Sequence, residues 1–138
     1  MNIYVCGNPL VKEDSLPLRI LPVLQKKFPE INFVEFEPTE DLPKEDNLII
    51  IDTVINAKDV MLIDNIDKFV ETKALSLHDF DLGLNLKLAK KLGKIKSVKI
   101  IGVPANISED EAIQKICQLT ASLSSRSVLR SSCTGRKP

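Results

Sequence analysis

The chain has 138 residues and a mass of 15.4 kDa, the size of one domain with its own buried core. Hydrophobic residues make up 43% and charged residues 28%, which argues against a disordered chain, while 4% aromatic residues and no Trp argue against a nucleic-acid partner held by base stacking. The formal net charge is 0. All charged residues after Glu111 are basic, however, so we expect an acidic folded body.

The cysteines and the apolar runs indicate the cellular compartment. Cys6, Cys117 and Cys133 are odd in number and far apart, unlike a disulfide framework or a zinc site, and they suit a reducing environment. No apolar run approaches the ~18 residues that a membrane-spanning helix needs. Residues 1–5 lead directly into a strand. We therefore expect a cytoplasmic protein with no signal peptide and no membrane partner.

The first 30 residues predict a strand followed by a helix. Residues 3–6 form a short apolar run, and residues 16–28 carry apolar side chains at helical spacing, with Asp14 or Ser15 available as the N-cap. Pro22 lies inside this predicted helix, where a proline costs about 3 kcal/mol unless the helix kinks or starts late.

The next segment predicts three strands. Residues 31–36 form the first of them, and a Pro-rich polar loop follows over residues 37–47. Residues 48–52, with the sequence LIIID, have the continuous aliphatic character of a parallel strand that is covered on both faces. Residues 60–63 predict a further short strand.

A second helix and a second buried strand follow. Residues 82–92 show helical spacing of apolar side chains, with Asp81 as the predicted N-cap and Gly93 as the predicted end. Residues 98–103 repeat the aliphatic character of a buried strand. The alternation of strands and helices continues through this segment.

The last helix starts at a predicted capping box. Ser108 and Glu111 have the spacing of that motif, and apolar side chains recur at helical spacing as far as Leu123. Residues 124–138 are rich in Ser and Arg and show no periodicity. We expect a domain over residues 1–123 and a disordered basic tail over residues 124–138.

This order of elements predicts a single-domain α/β fold with a mainly parallel, doubly wound sheet of about five strands and helices on both faces. In such a sheet, ligands bind at the edge where the parallel strands have their carboxyl ends. Asp52 ends a predicted strand at this edge, and Asp14 opens a helix there. Residues 76–81 precede another helix that must start at the same edge, and they include His78, the only histidine.

The convergence of these residues predicts a site. Two carboxylates and one imidazole are a ligand set for a first-row transition metal ion, with coordination positions left for other ligands. Each residue also has a structural interpretation: Asp14 as an N-cap, His78 as a solvated loop residue, and Cys6 as a small buried strand residue. Their predicted meeting at one edge favours the functional interpretation.

The sequence resembles the hydrogenase maturation endopeptidases over residues 1–123. Five short motifs occur in the family's order: Gly7-Asn8-x-Leu10, Glu13-Asp14, the LIIID strand ending in Asp52, Ser76-x-His78, and Gly102-x-Pro104. The chain departs from the family pattern in three places. Ser15, Leu16 and Pro17 replace glycines after the acid pair, only Thr39 matches the loop before the third strand, and residues 79–82 replace the usual neighbours of the histidine.

The resemblance implies a peptide hydrolase of the aspartyl protease kind that removes the C-terminal extension of a nickel-iron hydrogenase large-subunit precursor. It makes Asp14, Asp52 and His78 the catalytic and metal-binding residues, which recognise nickel that arrives with the precursor. Another divalent transition metal could occupy the same ligands in vitro. A bound ion can polarise the scissile carbonyl or lower the pKa of water while an aspartate takes the proton, and the sequence does not decide which group dominates.

Two other functions fit parts of the pattern. A noncatalytic module of the same fold could hold a metallated partner through the same edge. A phosphoacceptor receiver domain also has an acid pair near its first strand and an Asp at the end of its third. Here the acid pair lies several residues beyond the strand, and the last strand ends in Gly102-Val103-Pro104 without a phosphate-pairing lysine.

Overall fold

The structure is a computed structural model that describes residues 1–7, 10, 15–36, 42–54, 57–71 and 77–123. The predicted tail, residues 124–138, lies outside these residues. The described elements, in chain order, are β1 (Asn2–Val5), α1 (Leu16–Lys27), β2 (Asn32–Glu35), β3 (Asn47–Val54), β4 (Met61–Ile63), α2 (Ile66–Glu71), α3 (Leu77–Lys91), β5 (Ser97–Pro104) and α4 (Glu109–Leu123).

The five strands form one sheet in the order β2-β1-β3-β5-β4. β1 pairs in parallel with β2 and β3, and β3 pairs in parallel with β5, whereas β4 is antiparallel to β5 at the edge. This confirms the predicted α/β fold with a mainly parallel, doubly wound sheet. The order differs from the 2-1-3-4-5 order of receiver-type folds, because an antiparallel edge strand follows β3 in the chain.

Helices cover both faces of the sheet, as predicted. On one face α1 and α4 pack over the strands, with Ile20, Ile51 and Ile116 among the buried side chains. On the other face Leu86 of α3 packs with Ile100 and with other buried residues of the sheet and of α2. We call these the α1/α4 face and the α3 face. None of the described helices is long and apolar enough to cross a membrane.

α1 runs through Pro22 without ending there. Pro22 is exposed, so water can hydrogen-bond the carbonyl that loses its helical donor. Ser15 is the N-cap residue by position, but its side chain makes no capping hydrogen bond, and its hydroxyl accepts from Arg19 Nε at 3.2 Å instead. Asp14, the other predicted cap, lies outside the described residues.

The predicted start of α3 is wrong. The helix begins at Leu77 and not at residue 82, so Asp81 lies inside the helix and is not its N-cap. Acidic residues near a helix start are stabilised by the positive end of the helix dipole, and the sequence DFD therefore extends the helix where its polarity suggested a loop. The predicted end at Gly93 is confirmed: Gly93 has φ 78°, its N–H donates to Lys90 O at 3.1 Å, and Lys94 N–H donates to Ala89 O at 2.9 Å.

The predicted capping of α4 is confirmed, because Glu111 N–H donates to Ser108 Oγ at 3.2 Å. In the predicted polar loop before β3, residues 42–46 form no helix or strand, and residues 37–41 lie outside the described residues. The sequence did not predict α2.

Candidate functional site at the carboxyl edge of the sheet

The carboxyl ends of β1, β3 and β5 meet at one edge of the sheet. Cys6, directly after β1, donates its N–H to Ile51 O at 2.8 Å, and Val54 at the end of β3 is in register with Pro104 at the end of β5. β3 therefore runs two residues beyond Asp52, which was predicted to end it. Asp52 lies just inside the edge.

Asp52 is a buried carboxylate with 1% of its surface exposed. Its Oδ1 accepts from the N–H of Thr53 at 2.9 Å, which fixes the orientation of the carboxylate. Side chains alternate along a strand, and Ile50 and Val54 lie in the core cluster of the α3 face, so Asp52 belongs to that face as well. A buried carboxylate is costly unless hydrogen bonds or a cation stabilise its charge, and this placement is typical of a site.

Gly102 is the register partner of Asp52 on β5. A Cβ atom at Gly102 would lie 2.8 Å from Val54 Cγ2, so no side chain fits there without a shift of the surrounding atoms. The position on β5 beside Asp52 therefore carries no side chain and leaves only backbone atoms next to the carboxylate. The sequence offered Gly102 only as part of a family motif, and the β3–β5 register shows what the glycine does.

His78 lies in the first turn of α3 and not in the loop that the sequence predicted. α3 packs on the α3 face through Leu82 and Leu86 and connects by a short turn to β5, which is parallel to β3. A helix connected in this way runs antiparallel to the following strand, so its first turn lies at the carboxyl edge. The backbone of His78 is therefore on the same face and at the same edge as Asp52.

The predicted metal trio is only partly covered by the structure. Asp14, together with Asn8 and Glu13, lies outside the described residues, and so does the side chain of His78. Among the side chains that are described, no three His, Cys, Asp or Glu residues form a group that could hold a metal ion. The joint ligation by Asp14, Asp52 and His78 thus stays a prediction.

Two ion pairs flank the carboxyl edge, and no pattern in the sequence predicted either of them. Arg19 Nη1 lies 2.7 Å from Glu109 Oε2 and joins the first turns of α1 and α4. Lys115 Nζ lies 2.7 Å from Asp59 Oδ2 and joins α4 to the segment before β4. The hydrogen bond from Lys115 lowers the pKa of Asp59, and the same bond raises the pKa of Lys115. Both pairs are exposed and add little stability.

The two described cysteines lie in the core. Cys6 is buried in the cluster of the α3 face, and Cys117 is buried in the cluster of the α1/α4 face. The sheet therefore separates them. Cys6 has the small buried side chain that its structural interpretation predicted.

The fold is similar to solved structures of known function. No protein-family model and no curated protein matches the sequence. The hydrogenase maturating endopeptidase HybD from E. coli shares 19% sequence identity with a TM-score of 0.67, over 91% of this chain and 94% of that chain. The solution structure of an endopeptidase from Escherichia coli gives 18% identity and a TM-score of 0.65, over 89% of this chain and 94% of that one.

A third structure, that of the hydrogenase 3 maturation protease, gives 18% identity and a TM-score of 0.51, over 75% of this chain and 72% of that chain. In two of these three comparisons the similarity covers nearly the full length of both chains. The chain has the fold of the hydrogenase maturation endopeptidases.

Proposed function

We propose that the chain is an endopeptidase that removes the C-terminal extension of a nickel-iron hydrogenase large-subunit precursor. Its substrate carries nickel, and Asp14, Asp52 and His78 recognise that nickel. We further propose that it acts in the cytoplasm.

The observation that carries the proposal is the position of Asp52. Its carboxylate is buried, held by the N–H of Thr53, and placed at the carboxyl edge on the face where the first turn of α3 brings the backbone of His78. The likeness to maturation endopeptidases over 91% of the chain supports the same conclusion independently.

The chemistry of these residue types fits a substrate-borne nickel ion. Carboxylate oxygen and imidazole nitrogen both bind divalent nickel, and a site with three protein ligands leaves coordination positions for groups of the precursor. An aspartate beside the scissile bond can take the proton of an attacking water molecule. The nickel would thus mark the precursor as ready to be cut.

The test is the mass of the precursor after incubation with the purified chain, with and without nickel in the precursor. We expect wild type to shorten the nickel-loaded precursor only. Asp52→Asn and His78→Ala should each stop cleavage while the fold is retained, since the amide oxygen that Asp52→Asn introduces can still accept the Thr53 N–H. Asp59→Asn is the matched control, because Asp59 is an exposed acid beside the same edge.

Three outcomes would contradict the proposal. Cleavage by His78→Ala at the wild-type rate would show that the site does not need His78. Equal loss in Asp59→Asn would show that any charge change at this edge disrupts the protein. A stable complex with the nickel-loaded precursor and no shortening by wild type would make the chain a binding module.

A further inference from the structure

A groove lies at the other end of the molecule from Asp52. It runs between residues 42–46, which precede β3, and the second half of α3 with the turn that leads into β5. Its volume is about 880 Å³. Because it borders the amino ends of β3 and β5, it is separate from the carboxyl edge. We call it the α3 groove.

One wall of the α3 groove consists of exposed leucines. Leu88 and Leu92 lie one helical turn apart and are 56% and 61% exposed, and Leu42 and Pro43 line the groove across from them. Single exposed leucines are common, but two in succession that face an open groove form an apolar surface that a partner can cover.

The acidic side chains that line the groove have partners within the fold, whereas the lysines form no ion pair with any described residue. Glu45 Oε2 accepts from Tyr4 Oη at 2.6 Å and from Asn2 Nδ2 at 2.7 Å, and Asp46 pairs with a lysine outside the groove at 3.7 Å. Glu45 is therefore held within the fold by two hydrogen bonds, and the exposed Asp46 has a lysine beside it. The basic side chains that line the groove, Lys44 and Lys94, are exposed and form no ion pair with any described residue.

We propose that the α3 groove binds a segment of a partner protein in which acidic side chains flank apolar ones. The apolar side chains would cover Leu88 and Leu92, and the acidic ones would pair with Lys44 and Lys94. Charge complementarity of this kind gives an interface its specificity and speeds association.

The charges also exclude two other occupants. The segment after Leu123 carries only basic charges, so the lysines of the groove repel it. A second copy docked groove to groove would bring the lysines of both copies into one interface and would add no acidic side chain beyond Glu45 and Asp46. This surface is independent of the proposed peptidase function, because none of its residues lies at the carboxyl edge.

The probe is a fluorescently labelled amphipathic peptide of about four helical turns, with Leu along one face and Glu along both borders of that face. Its counterpart carries Lys in place of each Glu. Fluorescence anisotropy with the full chain should show binding of the Glu peptide alone, and the affinity should fall as salt is raised. Binding of neither peptide, or equal binding of both, would overturn the proposal.

Matched variants locate the binding. Leu88→Ser should weaken binding of the Glu peptide by about tenfold, the value of covering the exposed half of a leucine side chain, whereas Leu84→Ser should not weaken it. Leu84 is 45% exposed on the same helix but does not line the groove. An equal loss in both variants would contradict the proposal.

A second pair of variants tests the lysine charges and leaves the exposed leucines unchanged. Lys94→Glu should lower the affinity for the Glu peptide and raise the affinity for the Lys peptide. Lys90 is an exposed lysine of α3 that does not line the groove, so Lys90→Glu should change neither affinity. Thermal unfolding checks that each variant is folded. If Lys90→Glu acts like Lys94→Glu, the attraction is unspecific and the groove is not the site.

Discussion

Asp52 and Gly102 are register partners near the carboxyl edge, and they have different roles there. Asp52 brings a buried carboxylate, and the N–H of Thr53 donates to it at 2.9 Å. Gly102 brings no side chain, and the space that a Cβ would take is closed by Val54 Cγ2 at 2.8 Å. The strand pair that holds Asp52 therefore has no room for a side chain at Gly102.

Gly102→Ala should lower the free energy of unfolding by about 1–3 kcal/mol, because the new methyl group overpacks the core against Val54. Urea denaturation measures the change. In a Val54→Ala background the same substitution should cost much less, since the clashing methyl group is gone. Equal costs in the two backgrounds would show that the strain at Gly102 comes from elsewhere.

Among the elements, the sequence predicted those whose signals are local and strong. The aliphatic runs of β3 and β5, the Ser108 cap of α4 and the Gly93 end of α3 all appear where they were expected. The start of α3 was missed because acidic residues in a polar run suit both a loop and a helix start. α2 was missed because a helix of six residues carries too few turns for a periodic pattern.

The candidate site was predictable only in part. Parallel topology placed Asp52 and the start of α3 at one edge, and both placements hold for the backbone. The burial of Asp52, its hydrogen bond to Thr53 and the role of Gly102 depend on the β3–β5 register. Register is a contact between strands that are distant in sequence, so a local pattern does not contain it.

A hydrogen bond between Tyr4 and Glu45 attaches the segment before β3 to β1, and its contribution to the free energy of unfolding depends on pH. Hydrogen bonds from Tyr4 and then Asn2 lower the pKa of Glu45, while burial and then the bond to Glu45 raise the pKa of Tyr4. Because the pKa of Glu45 is lower in the folded state, its contribution to stability is present at neutral pH and is lost as the pH falls through that lowered pKa.

Tyr4→Phe should therefore destabilise the protein most at neutral pH and progressively less as the solution is acidified. Urea denaturation at a series of pH values measures the difference in the free energy of unfolding. In a Glu45→Gln background the effect of Tyr4→Phe should no longer depend on pH. A difference between wild type and Tyr4→Phe that stays constant down to about pH 3 would exclude the Glu45 link.

At the scale of the whole molecule, the doubly wound topology gives the two ends of the sheet different properties. The carboxyl end holds Asp52 and the first turn of α3, and the amino end holds the α3 groove with its leucines and lysines. Since β3 and α3 each reach both ends, a partner at the groove and a substrate at Asp52 would contact the same two elements.

The most direct measurement is a crystal structure of the chain soaked with a nickel salt, with anomalous difference density recorded at the nickel absorption edge. We expect one peak bonded to carboxylate oxygens of Asp14 and Asp52 and to a ring nitrogen of His78. A peak bonded to other residues, or a His78 imidazole on the side of the sheet away from Asp52, would contradict the shared nickel site.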